Sequence, residues 1–280
     1  MLADGPINAN VGFTIKHFLK NNIVYAEILK FLNIIQINAH EFRIDKKFLV
    51  YKYSNFIDID EEKIINLIFS QLIEFRKLFN LYLQIFVIPL YSRYINTDHV
   101  TNIFENMDYY FTFNYTPTFE KVYNVDKIEI NYLHGKSEEK DENIVFGISD
   151  LFDKRSESTK YIRFTKYFQK FDNKTDFYFL NKLEKSDLEN YIFYFWGHSL
   201  DKSDSGYINE VFDFLDAVKS NIKRIVIIYH SDSSRSKSLL NLFSIRGKND
   251  IESKMRSKEL VFYKIDSKEL IVDLKQSIIN

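Results

Sequence analysis

Ile192-Phe193-Tyr194-Phe195-Trp196-Gly197-His198-Ser199-Leu200-Asp201-Lys202-Ser203-Asp204-Ser205-Gly206 is the stretch whose reading decides the fold. Ile192 to Trp196 is a short, unbroken apolar run rich in aromatic residues, and it reads as a strand covered on both faces, the habit of parallel sheets. Gly197 lets the chain turn with no side chain in the way. Asp201, Ser203 and Asp204 then surround the start of a helix whose face carries Tyr207, Val211, Phe212 and Leu215. One of the three should cap that helix and the others remain free, with equal claims for Asp201 and Asp204 as the free carboxylate.

The same texture extends outward from residue 108. Short apolar runs predict strands at Tyr109 to Phe113, Ile128 to Leu133, Ile144 to Gly147, Ile192 to Trp196, Arg224 to Tyr229 and Leu260 to Ile265. Helical patterns fall near 118–123, 160–184, 205–219, 234–245 and 267–278. Strands alternating with crossover helices make an α/β fold, a mainly parallel, doubly wound sheet of about five or six strands. Upstream, Asp60 as N-cap, Glu61 and Glu62 in the first turn, and apolar residues at Ile64, Leu67, Ile68, Leu72, Phe75, Leu78, Tyr82 and Ile85 predict a helix over 61–88, stopped by Pro89. Gly12 to Ile37 reads as one or two helices and Phe48 to Phe56 as an extended piece. The organisation expected is therefore a mainly helical region, residues 1–100, packed on the sheet of an α/β domain, residues 101–280.

Composition removes whole classes of function. Lys plus Arg number 38 against 39 Asp plus Glu, so no global field draws the chain to nucleic acid or anionic lipid. With 45% hydrophobic residues and only 7 Gly and 3 Pro, it is too apolar and too poor in breakers for a disordered chain. Zero Cys excludes disulfides, thiolate metal sites and a Cys nucleophile. The charge-free stretch Leu78 to Ser92 falls short of the roughly 20 apolar residues that span a bilayer. The start, with Asp4 and Gly5-Pro6, has no basic segment leading into an apolar core, so no membrane contact and a cytoplasmic location are expected.

In an open parallel sheet, ligands bind outside the carboxyl ends of the strands, where crossover loops and helix N-termini converge. Asn114-Tyr115-Thr116-Pro117, His134-Gly135-Lys136, Gly147-Ile148-Ser149-Asp150 and Gly197 to Gly206 occupy those positions, and His230 follows the fifth strand. Asn114 and His134 are the candidate catalytic pair; Gly135, Gly147, Gly197, His198, Ser199, Asp201 and Asp204 are the candidate ligand contacts. Each has a structural reading as well. Asn114 and the glycines are common turn formers, Thr116-Pro117 starts helices, and His134 can serve as a hydrogen-bonded turn residue. Lys136 to Lys140, with Lys166 and Lys170, read as solvated surface, and Tyr167, Phe168 and Phe171 as core.

The ordered series Phe113-Asn114-Tyr115-Thr116 with Glu120-Lys121-Val122-Tyr123, Leu133-His134-Gly135-Lys136, Val145-Phe146-Gly147-Ile148, Lys166-Tyr167-Phe168-Gln169-Lys170 and Gly197-His198-Ser199-Leu200-Asp201-Lys202-Ser203-Asp204 resembles the bacterial abortive-infection AbiH family, from about residue 104 onward. That resemblance implies a role in phage defence and, through the family's distant likeness to sirtuin-type domains, a sirtuin-like or Rossmann-like sheet with NAD as substrate. Asn114 and His134 then match the Asn and the His-Gly pair of a nicotinamide-nucleotide site. The family's Gly-rich start, of the Gly-Asn-Gly-Phe-Asp kind, has only Asn10-Val11-Gly12-Phe13 as an echo, so the chain reads as an N-terminally truncated or diverged member.

Three functions are open at this stage. The first is hydrolysis of the nicotinamide glycosidic bond of NAD, with His134 as general base, Asn114 orienting ribose or water, and Asp201 or Asp204 accepting from ribose hydroxyls. The second is a metal-assisted phosphohydrolase or nuclease built on His134, His198, His230, Asp150, Asp201, Asp204 and Asp232; without a closely spaced ligand pair, no metal is expected. The third is an inactive sensing or binding protein. The partners implied are a nucleotide, a phage trigger and an additional copy of the chain.

Overall fold

In a computed structural model of the chain, the structure describes residues 23–38, 41–52, 56–93, 107–122, 130–138, 143–148, 161–173, 179–180, 183, 189–220 and 222–277. They divide into two compact units, Met1–Lys77 with Lys154–Arg163, and Leu78–Asp153 with Phe164–Asn280. In chain order the elements are α1 (Ile23–Phe31), β1 (Ile35–Asn38), β2 (Glu41–Ile44), β3 (Leu49–Lys52), β4 (Phe56–Ile59), α2 (Glu61–Tyr82), β5 (Tyr110–Thr112), α3 (Thr118–Val122), β6 (Ile130–Tyr132), α4 (Lys166–Asp172), β7 (Tyr191–Trp196), α5 (Ser205–Ala217), β8 (Lys223–Tyr229), α6 (Asp232–Arg246), α7 (Lys248–Arg256), β9 (Leu260–Lys264) and α8 (Lys268–Ser277).

The first unit holds two antiparallel pairs, β1 with β2 and β3 with β4. The extended piece expected near Phe48 is β3; the other three strands were not expected, because four-residue strands leave too short a pattern to read. Ala26, Ile34, Ile35 and Phe48 form the core there, with Ile64, Leu67 and Ile68 of α2 packed on it. Asp60 caps α2 as expected, its Oδ1 accepting from the Lys63 N–H at 3.0 Å. The expected apolar face is only partly used: Phe75, Leu78, Tyr82 and Ile85 are each more than half exposed. Nor does Pro89 stop the helical path. After Tyr82 the chain passes through a π turn, Leu83–Val87, into a 3₁₀ helix, Ile88–Arg93, so the hydrogen-bond register changes before the residue that lacks an N–H.

In the second unit β7, β8 and β9 pair in parallel in that order, Phe193 opposite Ile225 and Ile227 opposite Phe262. Alternate residues serve opposite faces. Phe193, Phe195, Ile225, Ile227 and Phe262 share a core with Ile208, Val211 and Phe212 of α5, Leu242 of α6 and Ile251 of α7. Ile192, Tyr194, Trp196, Val226 and Ile228 pack instead with Leu270 and Leu274 of α8. Helices thus cover both faces, which is why these strands read as unbroken apolar runs.

A second parallel ladder joins β5 to β6, Phe111 opposite Asn131. The architecture is mixed α/β with more than one small parallel sheet; a single sheet of five or six strands is not among the described pairings. The expected strand Ile144 to Gly147 is irregular. Its backbone groups go elsewhere: the Val145 N–H donates to the His134 carbonyl at 2.9 Å, and Ile148 makes an isolated bridge to Thr165. The helix expected over 160–184 is described only as a 3₁₀ turn, Ile162–Phe164, and α4. Helix α7 was missed because Lys248-Asn-Asp-Ile-Glu-Ser-Lys-Met-Arg256 carries only two apolar residues. The Asn10-Val11-Gly12-Phe13 echo lies outside the described residues. Among the described residues no helix is long and apolar enough to cross a membrane.

Gly147 is where the irregular segment meets α4 most closely: a Cβ there would fall within bonding-clash range of the Lys166 nitrogen and the Thr165 carbonyl carbon, whereas one at Gly206 in α5 would meet nothing within 4 Å. Gly147→Ala should therefore destabilise the chain by about 1–3 kcal/mol through overpacking. Gly206→Ala should leave stability unchanged or raise it by up to about 0.5 kcal/mol. Urea denaturation of the two variants beside the wild type checks both.

Candidate functional site

The turn after β7 decides which aspartate is free. Gly197 takes φ +66° and the fully buried Leu200 φ +51°. Asp201 then caps a 3₁₀ turn, Lys202–Asp204, its Oδ1 accepting from the Ser203 N–H at 2.9 Å. Asp204, next along and at the N-cap of α5, makes no side-chain capping bond. With capping done by its neighbour, its carboxylate turns inward and is only 8% exposed.

Three cations or imidazoles meet that carboxylate, two from other segments and one from its own turn. Lys166 Nζ, at the start of α4, donates to Oδ1 at 2.7 Å. His134 Nε2, in the turn after β6, stands 3.1 Å from the same oxygen. His198 Nε2 faces Oδ2 at 3.4 Å. Since His198 Nδ1 accepts the Leu200 N–H at 3.0 Å, its proton belongs on Nε2, toward the carboxylate. His134 is 6% exposed, and its Nε2 is buried with no well-aligned hydrogen-bond partner despite the short approach.

Burial alone would raise the Asp204 pKa, but the close approach of His134 and His198 and the hydrogen bond from Lys166 outweigh it and hold the carboxyl well below the usual range. For His134 burial is the largest effect and lowers the pKa; contact with Asp204 raises it, and the charges of Lys166 and Lys170 lower it further. The net result is a neutral imidazole against an ionised carboxylate. Burial, with a contribution from Asp204, pushes Tyr115 up to about 12, so it stays a neutral phenol.

The surroundings fix the imidazoles by packing. Phe113, just past β5, stacks on His198 with ring centroids 4.2 Å apart and sets its edge to His134 at 5.2 Å. Tyr207 of α5 donates to the Leu133 carbonyl at 2.8 Å, holding the residue before His134. Beyond it, Ser137 Oγ donates to Asn80 Oδ1 at 2.6 Å and accepts from Gln84 Nε2 at 3.0 Å. Gly135 adopts φ +83°, and a Cβ there would strike the backbone of Asn143. Lys166 is aimed by the seating of α4, where Thr165 caps the helix from Phe168 N–H at 3.2 Å and Gln169 bonds Phe146 through both its amide groups.

Of the expected residues, His134, His198 and Asp204 come together. Asn114 is exposed at the end of β5, one residue from Phe113, its N–H donating to Thr112 Oγ1 at 3.1 Å. Gly197 and Ser199 are exposed, and the Ser199 carbonyl accepts from Asn241 Nδ2 at 2.9 Å. Asp201 is exposed; Gly135 and Gly147 abut protein backbone. His230 and Asp232 are exposed beyond β8, and Asp150 lies outside the described residues. Among the described residues no group of His and carboxylates is arranged to hold a metal ion. Lys166, read from sequence as solvated surface, is the residue missed: its side chain is 16% exposed and belongs to the centre. The one sequence signal for it was its place in the Lys166-Tyr167-Phe168-Gln169-Lys170 motif.

A protein-family model described as bacteriophage abortive infection AbiH matches residues 17–229, a span that includes every residue of this centre. No curated protein and no solved structure matches the chain.

The two aspartates should separate cleanly by mutation. Asn caps about as well as Asp, so Asp201→Asn should change stability by less than about 0.5 kcal/mol. Asp204→Asn strips a buried ammonium of its counter-charge and should cost about 3–5 kcal/mol. Because the Asp204 carboxyl is depressed in the fold, its stabilisation is complete above the ordinary carboxyl value of 3.8 and is lost as pH falls below it. Urea midpoints followed from neutral pH to about pH 2 should therefore fall more steeply for wild type than for Asp204→Asn.

Proposed function

The chain belongs to the bacteriophage abortive infection AbiH family, and from that premise we propose that it is a phage-defence protein whose His134–Asp204 centre hydrolyses the nicotinamide N-glycosidic bond of NAD. The observation that carries this reading is a buried, neutral imidazole set against an ionised, charge-compensated carboxylate at the carboxyl end of a parallel strand pair. That is the equipment of a general base.

The proposed reaction breaks the bond between ribose C1′ and the nicotinamide nitrogen, forms a bond from C1′ to a water oxygen, and yields nicotinamide, ADP-ribose and a proton. Asp204 faces Nε2 of His134, which places the ring proton there and leaves Nδ1 as the lone-pair nitrogen. Nδ1 takes the proton from the attacking water or from a ribose hydroxyl. Asn114, exposed beside Phe113, orients ribose or water with its amide. Asp204, with both oxygens engaged by Lys166, His134 and His198, is a positioning residue; accepting from ribose hydroxyls falls to the exposed Asp201 beside Gly197, His198 and Ser199.

Core packing supports the finer sheet architecture. Phe111 and Phe113 join the core beneath α5, and Tyr110 packs with Trp196 of β7. A sirtuin-like, doubly wound order β6-β5-β7-β8-β9 accounts for both contacts. In that order the chain reverses direction between β5 and β7, and Asn114 and His198 stand at the switch point where such sheets bind nucleotides. Acting on the cell's NAD pool implies a cytoplasmic location.

The test is release of nicotinamide and ADP-ribose from NAD by the purified full chain, alone and with lysate of phage-infected cells. The wild type should be active in at least one condition and indifferent to EDTA, and His134→Ala should be slower by about 10²–10⁴-fold. With the His134 pKa lowered, the rate should hold steady from pH 8 to below the ordinary histidine value of 6.5 before it declines. Intact NAD in both conditions, or equal rates for wild type and His134→Ala, would overturn the reading; loss of activity in EDTA would replace it with a metal-assisted one.

A further inference from the structure

Two donors share one oxygen in this centre. Lys166 Nζ at 2.7 Å and His134 Nε2 at 3.1 Å both address Asp204 Oδ1, while His198 takes the other oxygen. The ammonium is the closer, and the imidazole N–H is left without an aligned bond. The arrangement does not arise from a flexible surface lysine that happened to fold over. The backbone of Lys166 is seated by the Thr165 cap, the Gln169–Phe146 clamp and the close approach of Gly147, and the pair is largely removed from water.

We propose that Lys166 is a positioning residue for His134: its ammonium sits on the same Asp204 oxygen that the imidazole faces and compensates its charge, and so weakens the carboxylate that would hold a second proton on the ring. An Asp–His pair without such a competitor tends toward carboxylate and imidazolium, a poor base at neutral pH. The charge of Lys170 also lowers the His134 pKa, but among the described contacts no group facing His134 other than Lys166 bonds the Asp204 oxygen that the imidazole addresses. Tyr115 and Tyr207 present aromatic rings with centroids near 6 Å, His198 addresses the other Asp204 oxygen, and Lys170 holds its Nζ over the Tyr207 ring at 3.7 Å. Of the two lysines, only Lys166 bonds the carboxylate among the described contacts. As a role in catalysis this rests on His134 being the base; as a statement about the protonation of His134 it stands alone.

Histidine ¹⁵N–¹H spectra of the full chain, with the His134 signal assigned by its loss in His134→Ala, read the titration directly. In wild type the His134 midpoint should lie below 6.5. Lys166→Met should raise it by about one unit or more, a tenfold gain in proton affinity, and Lys166→Arg should leave it within about 0.3 units of wild type. In an Asp204→Asn background, Lys166→Met should have much less effect, because the contested oxygen no longer carries charge. A wild-type midpoint at or above 6.5, or a folded Lys166→Met whose midpoint does not move, overturns the proposal. Should Lys166→Met fail to fold, Lys166→Gln supplies a neutral side chain that still donates a hydrogen bond, and the same shift is required of it. A wild type that spares NAD yet shows these shifts would sink the hydrolase reading and leave the Lys166 assignment intact.

Discussion

A carboxylate taken out of water must be met by charge or by hydrogen-bond donors, and in this protein that constraint falls on Asp204. It is 8% exposed and satisfied only because the turns after β6 and β7 and the start of α4 converge on it. Each of those segments has its own packing, and the carboxylate makes them interdependent. Withdraw any one and a charge is left in a low-dielectric pocket. The same requirement sets the charge state of the centre, since compensation by Lys166 keeps the carboxylate ionised while burial keeps His134 neutral.

How the lysine arrives is a matter of backbone clearance. The segment from Ile144 to Ile148 spends its polar groups on the His134 carbonyl, on Gln169 and on Thr165, so it serves as a spacer between the His134 turn and α4. Gly147 allows the N-terminus of α4 to approach where any side chain would stand, and Gly135 performs the same service where its turn meets Asn143. Both glycines sit at positions that a ligand-binding reading also favours, and both have a sufficient structural reason for being there. The exposed members of the set, Asn114, Gly197, Ser199 and Asp201, are the ones open to a ligand.

The aromatic content of the chain is used locally as well as in the core. Phe113 packs against His134, His198 and Tyr207, so ring packing orients both imidazoles and a hydrogen bond from the Leu200 N–H fixes His198 as well. Tyr207 in turn ties α5 to the Leu133 carbonyl. The helix that begins at Asp204 is thereby fixed to the strand that ends at His134.

The amino-acid sequence by itself determined the parallel strands β7, β8 and β9, because a run such as Ile192 to Trp196 is apolar on both faces and can only be buried on both. It also placed His134, His198 and Asp204 in the turns that follow strands, where the structure has them. What it left undecided was which of Asp201 and Asp204 would cap, because both stand within reach of the same helix start and only the geometry of the 3₁₀ turn distinguishes them. The strand expected at Ile144 to Gly147 is apolar enough to pair, yet its hydrogen bonds are claimed by a loop and a helix end, partners that no local pattern announces. Lys166 was illegible for the same reason: in a Lys-rich neighbourhood a lysine reads as solvated, and only the tertiary structure brings it to a carboxylate 38 residues away in the chain. Periodicity records which residues are buried; which charge meets which is settled by segments far apart in sequence.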